Sequence, residues 1–125
     1  MKLHFLSGLP RSGSTLLTTL LYQNPLIHTE GLSGLCDVMW QTHQSLSNAQ
    51  SISANYRQAH AHQMVADLPA RYYSDVTRPV VIDKCRAWTV PDNVQMLKHY
   101  VTPQPKIVVL TREPSDIIAS FKSLF

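Results

Sequence analysis

The chain has 125 residues, of which 44% are hydrophobic and 15% charged, and its formal net charge is +3 at neutral pH. This composition is sufficient for one folded domain with a core, and it excludes a disordered tail or a linker. The positive charge is small and its residues are scattered, so nothing in the composition indicates a nucleic-acid partner.

Cysteine content and apolar runs indicate a reducing compartment and no membrane segment. Cys36 and Cys85 lie outside any C-x-x-C or Cys/His arrangement, so we expect two reduced, buried thiols, no disulfide and no zinc site. The apolar run from Leu3 to Leu9 is short and contains Gly8, and no run approaches the ~20 residues of a membrane span. We therefore expect a soluble, cytoplasmic protein.

The N-terminal sequence KLHFLSGLPRSGSTLL predicts a strand, a glycine-containing loop and a helix. The strand covers Leu3 to Ser7, and the helix begins near Ser14. Such a loop turns several backbone N–H groups and the positive end of the helix dipole toward one point, which suits an anion. The loop residues expected to hold phosphate-like oxygens are Arg11, Ser12, Gly13, Ser14 and Thr15.

This loop differs from the nucleotide-binding pattern G-x-x-x-x-G-K-[ST] at one position. Both glycines and the final hydroxyl, Thr15, are present, but Ser14 replaces the lysine. That lysine contacts the β- and γ-phosphates of a triphosphate, so its absence favours a ligand without a γ-phosphate. The sequence PRSGSTLL followed by QNP resembles the 5′-phosphosulfate loop of sulfotransferases that use 3′-phosphoadenosine-5′-phosphosulfate (PAPS).

The rest of the sequence alternates between predicted strands and predicted helices. The strands cover 26–27, 79–83 and 106–111, and the helices cover 33–46, 52–73 with an interruption at Pro69, 91–101 and 114–125. This alternation predicts an α/β fold, a parallel sheet flanked by helices in a P-loop-like three-layer architecture. We expect a single domain over residues 1–125 that is incomplete at its C-terminus.

A second anion site is predicted in the C-terminal sequence KIVVLTREPSDIIASF. Arg112 stands at the exit of the strand and Ser120 lies in the helix that follows, so a guanidinium and a hydroxyl would reach one phosphate together. The alternative is that Arg112 pairs with Glu113 or Asp116 on the surface. The spacing resembles the 3′-phosphate motif of the same sulfotransferases, which implies that Arg112 and Ser120 bind the 3′-phosphate.

Lys84 is the candidate for stabilising charge during group transfer. It follows the strand PVVID and so lies at the same edge of the sheet as Arg11 and Arg112. An ammonium group there would stabilise the charge that builds on the bridging oxygen, and the resemblance implies a catalytic lysine at this place. Asp83 also makes PVVID similar to the magnesium-binding strand of kinases, although an ion pair with Lys84 or Arg86 explains it equally well.

A general base is expected near the transferred group, because the acceptor loses a proton as it attacks. Glu30 is the first candidate, since it follows a predicted strand next to the loop, and His28 is the second. The resemblance places the base glutamate one or two positions later, where this chain has Gly31 and Leu32.

Together these features indicate a sulfotransferase that moves a sulfuryl group from PAPS, without a metal, to a hydroxyl or amine of an unknown acceptor. The catalytic residues implied are Lys84, Glu30 and Arg11. Two alternatives remain. The first is a P-loop kinase acting on a small molecule, which Ser14 disfavours, and the second is a non-catalytic nucleotide-binding fragment. The sequence leaves the oligomeric state open.

Overall fold

A computed structural model describes residues 1–124, and strands alternate with helices along them. The strands are β1 (Lys2–Gly8), β2 (Ile27–Thr29), β3 (Val80–Lys84) and β4 (Ile107–Leu110). The helices are α1 (Ser14–Tyr22), α2 (Leu35–Asn48), α3 (Gln50–Ser53), α4 (Gln58–Tyr72), α5 (Pro91–Tyr100) and α6 (Pro114–Leu124). A short 3₁₀ turn, Arg86–Thr89, follows β3.

Over the described residues, β1 to β4 form one parallel sheet in the order β2-β3-β1-β4. Leu3 of β1 is paired with Val81 of β3, and Leu6 of β1 with Val108 of β4. The connection after β1 runs toward the edge of the sheet formed by β2, whereas the connection after β3 runs toward the opposite edge, formed by β4. In parallel sheets a ligand site forms at such a reversal, outside the carboxyl ends of the strands. We therefore expect a ligand site at the edge of the sheet where β1 ends at Gly8 and β3 ends at Lys84.

The described chain forms two compact units, and the first contains the sheet. This unit comprises residues 1–33 and 78–89 and the chain from Lys106 onward. Its core is made by apolar side chains of adjacent strands and of the 3₁₀ turn: Phe5, Val81 and Trp88 are fully buried. The ring of Phe5 meets that of Trp88 edge to face, with centroids 4.8 Å apart. The buried contact fixes the 3₁₀ turn beside the carboxyl end of β3.

The second unit, residues 34–77 and 90–105, is built from helices. The described helices α2, α4 and α5 each contribute buried apolar residues, among them Leu35 and Met39 of α2, Val65 of α4 and Leu97 of α5. Burial of these faces explains why sequences rich in alanine, glutamine and histidine still form stable helices here.

A polar cluster joins α2, α4 and α5 in the second unit. The hydroxyl of Tyr100 lies 2.7 Å from Nδ1 of His43 and 2.8 Å from Nδ1 of His62. Because a hydroxyl carries one proton, it donates to one ring and accepts from the other. His99 contacts the Tyr100 ring with centroids 4.6 Å apart. Burial, together with the nearby His62 and His99, lowers the pKa of His43, and burial raises the pKa of Tyr100.

Most predicted helices and strands appear within two residues of their expected bounds. The helix predicted for 52–73 is instead two helices, α3 and α4. Pro69 lies inside α4 and does not interrupt it. The break falls earlier, between α3 and α4, where Asn55 accepts a hydrogen bond from the N–H of Arg57 at 2.8 Å and forms a local turn. Phe125, predicted as the end of the last helix, lies outside the described residues.

The fold is α/β, with a parallel sheet flanked by helices, as the sequence predicts. Along residues 1–124 no helix combines the length and the apolar character needed to cross a membrane.

Candidate functional site

The loop between β1 and α1 depends on two left-handed backbone positions and one close approach. Gly13 has φ +96°, a conformation that side chains rarely adopt, and Arg11 adopts φ 63° despite its side chain. Gly8 is needed for space, because a Cβ there would lie 3.0 Å from the carbonyl oxygen of Leu110 on β4. The loop is therefore held tightly against the sheet and turns sharply into the helix.

The helix that follows the loop presents its backbone donors to solvent. Gly13 is the N-cap residue of α1, and none of the described side chains caps this end of the helix. The first turn, which starts at Ser14, contains no acidic residue. Its N–H groups and the positive end of the dipole are therefore available to an anion.

Two arginines and a serine converge on the same helix end. Nε of Arg11 donates to Oγ of Ser120 at 2.8 Å, and Nη1 of Arg112 donates to the carbonyl oxygen of Arg11 at 2.9 Å. The loop and the C-terminal strand–helix junction thus form one cluster, although they lie at opposite ends of the sequence. They border a cavity of about 230 Å³, the arginine cavity, lined by Arg11, Gly13, Ser14, Thr15, Arg112 and Ser120.

Lys84 lies between the loop and a second cavity. Its Nζ donates to Oγ1 of Thr15 at 3.4 Å. Both residues, with Arg11 and Arg86, line a space of about 410 Å³, the loop cavity, at the carboxyl ends of β1 and β3. Partial burial, and secondarily the charge of Arg86, lowers the pKa of Lys84. A bound anion would offset both effects.

Ser12 differs from the other predicted loop ligands. Its Oγ is buried and has no hydrogen-bond partner among the described residues. A Cβ built on Gly8 would lie 2.9 Å from this Oγ, so the side chain is packed under the loop. Ser12 does not line the arginine cavity or the loop cavity, in contrast to Ser14 and Thr15.

The two candidate bases, His28 within β2 and Glu30 directly after it, contact each other. Nε2 of His28 lies 3.0 Å from Oε2 of Glu30, and the Glu30 side chain is 53% exposed while that of His28 is 18% exposed. Glu30 and Lys84 both line a third cavity of about 320 Å³. Of the two candidate bases, Glu30 is therefore the more exposed to solvent, and His28 contacts its carboxylate.

Comparison with known proteins adds a family assignment. A model of the sulfotransferase family matches residues 4–125, nearly the whole chain. The chain belongs to the sulfotransferase family. No curated protein sequence matches it significantly.

In this member of the sulfotransferase family, Asp83 is a buried hydrogen-bond acceptor. It is fully buried and accepts hydrogen bonds from Nε1 of Trp88 at 2.7 Å and from Oγ of Ser33 at 2.5 Å. The N–H of Ser33 in turn donates to the carbonyl oxygen of Lys84 at 2.9 Å. Asp83 therefore links the 3₁₀ turn, the segment after Glu30 and the end of β3. Among the described residues, no group of three or more His, Cys, Asp or Glu is arranged to hold a metal ion.

The third cavity, which we call the threonine cavity, was not predicted from the sequence. Its lining combines hydroxyl side chains of α1 and β2 with Glu30 and Lys84: Thr15, Thr18, Thr19, Tyr22 and Thr29. Three of these threonines lie at positions i, i+3 and i+4 of α1, on one face of the helix. This spacing is visible in the sequence and predicts a polar surface on one face of α1, so it could have indicated the cavity.

Proposed function

We propose that this chain binds PAPS as its donor and transfers the sulfuryl group to a hydroxyl or amine of a small acceptor. The observation that carries the proposal is the convergence of Arg11, Arg112 and Ser120 at the uncapped N-terminus of α1. Guanidinium groups, a hydroxyl and the N–H groups of a helix N-terminus meet there, and all three bind anions. Membership of the sulfotransferase family supports the same function.

The residues present fit a donor that carries two separate anionic groups. The N–H groups at the start of α1, with Ser14 and Thr15, would hold the 5′-phosphosulfate in the loop cavity. Arg112 and Ser120 would hold the 3′-phosphate in the arginine cavity. Arg11 lines both cavities, so its charge would serve both groups. Bound there, PAPS supplies an activated sulfuryl group with a phosphate as its leaving group.

The chemical roles follow from where the charged groups lie. Lys84, an ammonium group beside Thr15, would stabilise the negative charge that grows on the bridging oxygen as its bond to sulfur breaks. Glu30 would accept the proton that the acceptor loses as its oxygen or nitrogen bonds to sulfur. His28 would orient the Glu30 carboxylate through their 3.0 Å contact. Arg11 would neutralise the sulfuryl oxygens.

Two observations disfavour the kinase alternative. Ser14 occupies the position of the lysine that contacts the β- and γ-phosphates. Asp83, the counterpart of the magnesium-binding carboxylate, is fully buried and engaged by Ser33 and Trp88. Both features weaken the case for a magnesium–triphosphate ligand.

Amide chemical-shift mapping with adenosine 3′,5′-bisphosphate tests where the donor binds. We expect the amide resonances of Gly13, Ser14, Thr15 and Arg112 to shift together and to saturate at one ligand per chain. Adenosine, which has no phosphate, is the control and should leave them unchanged. Shifts confined to other residues, or shifts of equal size with adenosine, would reject the proposed donor site.

A further inference from the structure

A cavity of about 400 Å³ in the second unit has no role in the proposed sulfotransfer. We call it the aromatic cavity, and its lining includes Trp40 and His43 of α2 and Asp92, Met96, His99 and Tyr100 of α5. None of these residues lines the loop cavity, the arginine cavity or the threonine cavity. The volume is in the range of small-molecule sites, so the chemistry of the lining then indicates which ligand it binds.

Four rings in the lining of the aromatic cavity contact one another. The ring centroids of Trp40 and His43 are 5.7 Å apart, and those of His43 and Tyr100 are 5.5 Å apart. His99 meets Tyr100 edge to face, with centroids 4.6 Å apart. The face of an aromatic ring carries negative electrostatic potential and attracts a cation, most strongly for tryptophan and tyrosine. A continuous group of rings therefore favours a positively charged ligand.

Hydrogen bonds hold two of these rings in place. The Tyr100 hydroxyl lies 2.7 Å from Nδ1 of His43 on α2 and 2.8 Å from Nδ1 of His62 on α4. Contacts from three helices thus fix the rings before a ligand binds, and a preformed site loses less conformational entropy on binding. Burial, and secondarily the charges of His62 and His99, lowers the pKa of His43. Its ring is therefore uncharged at neutral pH and does not repel a cation.

Asp92 supplies a negative charge beside the rings. It lies in the first turn of α5, and neither lysine nor arginine is among the described residues that line the aromatic cavity. Within residues 1–124 its carboxylate forms no ion pair and no side-chain hydrogen bond. An unpaired carboxylate next to aromatic rings attracts a cation and repels an anion. The charge and the rings therefore favour the same class of ligand.

We propose that the aromatic cavity binds a small ligand through a quaternary ammonium group. A primary ammonium is strongly hydrated and carries three N–H donors, each of which needs an acceptor once water is removed. A trimethylammonium group has no N–H, and its methyl groups pack against the rings of Trp40 and Tyr100 while its charge stays near Asp92. The thioether of Met96, which is 3% exposed, adds a polarisable apolar surface for the methyl groups. This inference is independent of the proposed sulfotransfer.

NMR titrations with choline, ethanolamine and 3,3-dimethylbutanol test the proposal. Choline carries a trimethylammonium group, ethanolamine a primary ammonium, and the alcohol an uncharged group of the same shape as trimethylammonium. At constant chloride concentration, we expect choline to shift the amide resonances of α5 saturably and to bind about tenfold more tightly than either other probe. Trp40→Phe should bind choline more weakly than the parent, and Trp40→Leu more weakly still, because the attraction of the ring face falls in that order.

Asp92→Asn keeps the shape of the side chain and removes its charge, so it should weaken choline binding at least threefold. Asp116→Asn is the matched control, because Asp116 is an exposed carboxylate in the first turn of α6, as Asp92 is in α5, and lies in the first unit. It should leave choline binding unchanged. Equal affinity for all three probes, no saturable binding of choline, or choline binding that survives both Trp40→Leu and Asp92→Asn would overturn the inference. These titrations contain no nucleotide, so such a result would leave the proposed function standing.

Discussion

Replacement of Arg112 by alanine should weaken binding of the ligand's 3′-phosphate specifically. A hydrogen bond to a charged group contributes roughly 1.5 to 3 kcal/mol. Arg112 is exposed and already donates one N–H to the carbonyl oxygen of Arg11, so the lower part of that range applies. A loss of about 1.5 to 2 kcal/mol corresponds to a dissociation constant ~10- to 30-fold higher.

Calorimetry with two ligands isolates this contribution. Adenosine 3′,5′-bisphosphate carries the 3′-phosphate and adenosine 5′-monophosphate lacks it, so Arg112→Ala should reduce the affinity of the first and leave the second nearly unchanged. Arg57→Ala, which removes an exposed arginine from the second unit, is the control and should affect neither ligand. If Arg112→Ala weakens the binding of both nucleotides equally, or of neither, Arg112 does not contact the 3′-phosphate specifically.

Three other predictions concern catalysis and stability. Lys84→Ala should lower turnover at saturating donor while changing bisphosphate affinity much less, which steady-state kinetics and calorimetry measure together; a change in affinity alone would exclude the transition-state role. Glu30→Gln should lower turnover ~10²-fold with bisphosphate binding retained; a variant as fast as the parent would make His28→Gln the next substitution to measure. The lowered pKa of His43 means that the folded state binds fewer protons than the unfolded state just below the ordinary value of about 6.5. Stability should therefore fall as the pH drops below that value, and the thermal midpoint of His43→Gln should depend less on pH; an unchanged slope would contradict this.

The sequence predicted the parts of the fold that depend on local pattern. The strand, loop and helix from Lys2 to Tyr22 are recognisable because apolar runs, glycines and hydroxyl residues follow one another within a single short stretch. The carboxyl ends of the parallel strands then bring Arg11, Lys84 and Arg112 to one edge, so the general location of the candidate site follows from topology.

The features that sequence could not predict depend on long-range contacts. Asp83 suggested a metal ligand or an ion pair, but its hydrogen bonds to Ser33 and Trp88 require the positions of two other segments. The Tyr100 cluster joins three helices, and only their packing brings its histidines together. The orientation of Ser12 depends on how closely the loop packs at Gly8. Local pattern carries no information about such contacts.

Pro69 illustrates a different limit. Proline usually ends a helix, since it lacks an N–H and its ring clashes with the preceding turn. Here Pro69 is buried in the last turns of α4, and its carbonyl oxygen accepts a hydrogen bond from the N–H of Tyr73 at 3.1 Å. Tertiary packing of Pro69 offsets the missing hydrogen bond, whereas Asn55 breaks the helix through its own side chain.

The most direct measurement is a calorimetric comparison of adenosine 3′,5′-bisphosphate with ATP, each titrated with and without magnesium. The loop lacks the lysine for a γ-phosphate, and Arg112 and Ser120 line the arginine cavity, where we propose that the 3′-phosphate binds. The bisphosphate should therefore bind more tightly than ATP, and magnesium should not change its affinity. ATP binding that is equally tight or tighter and requires magnesium would contradict the sulfotransfer account in favour of a kinase.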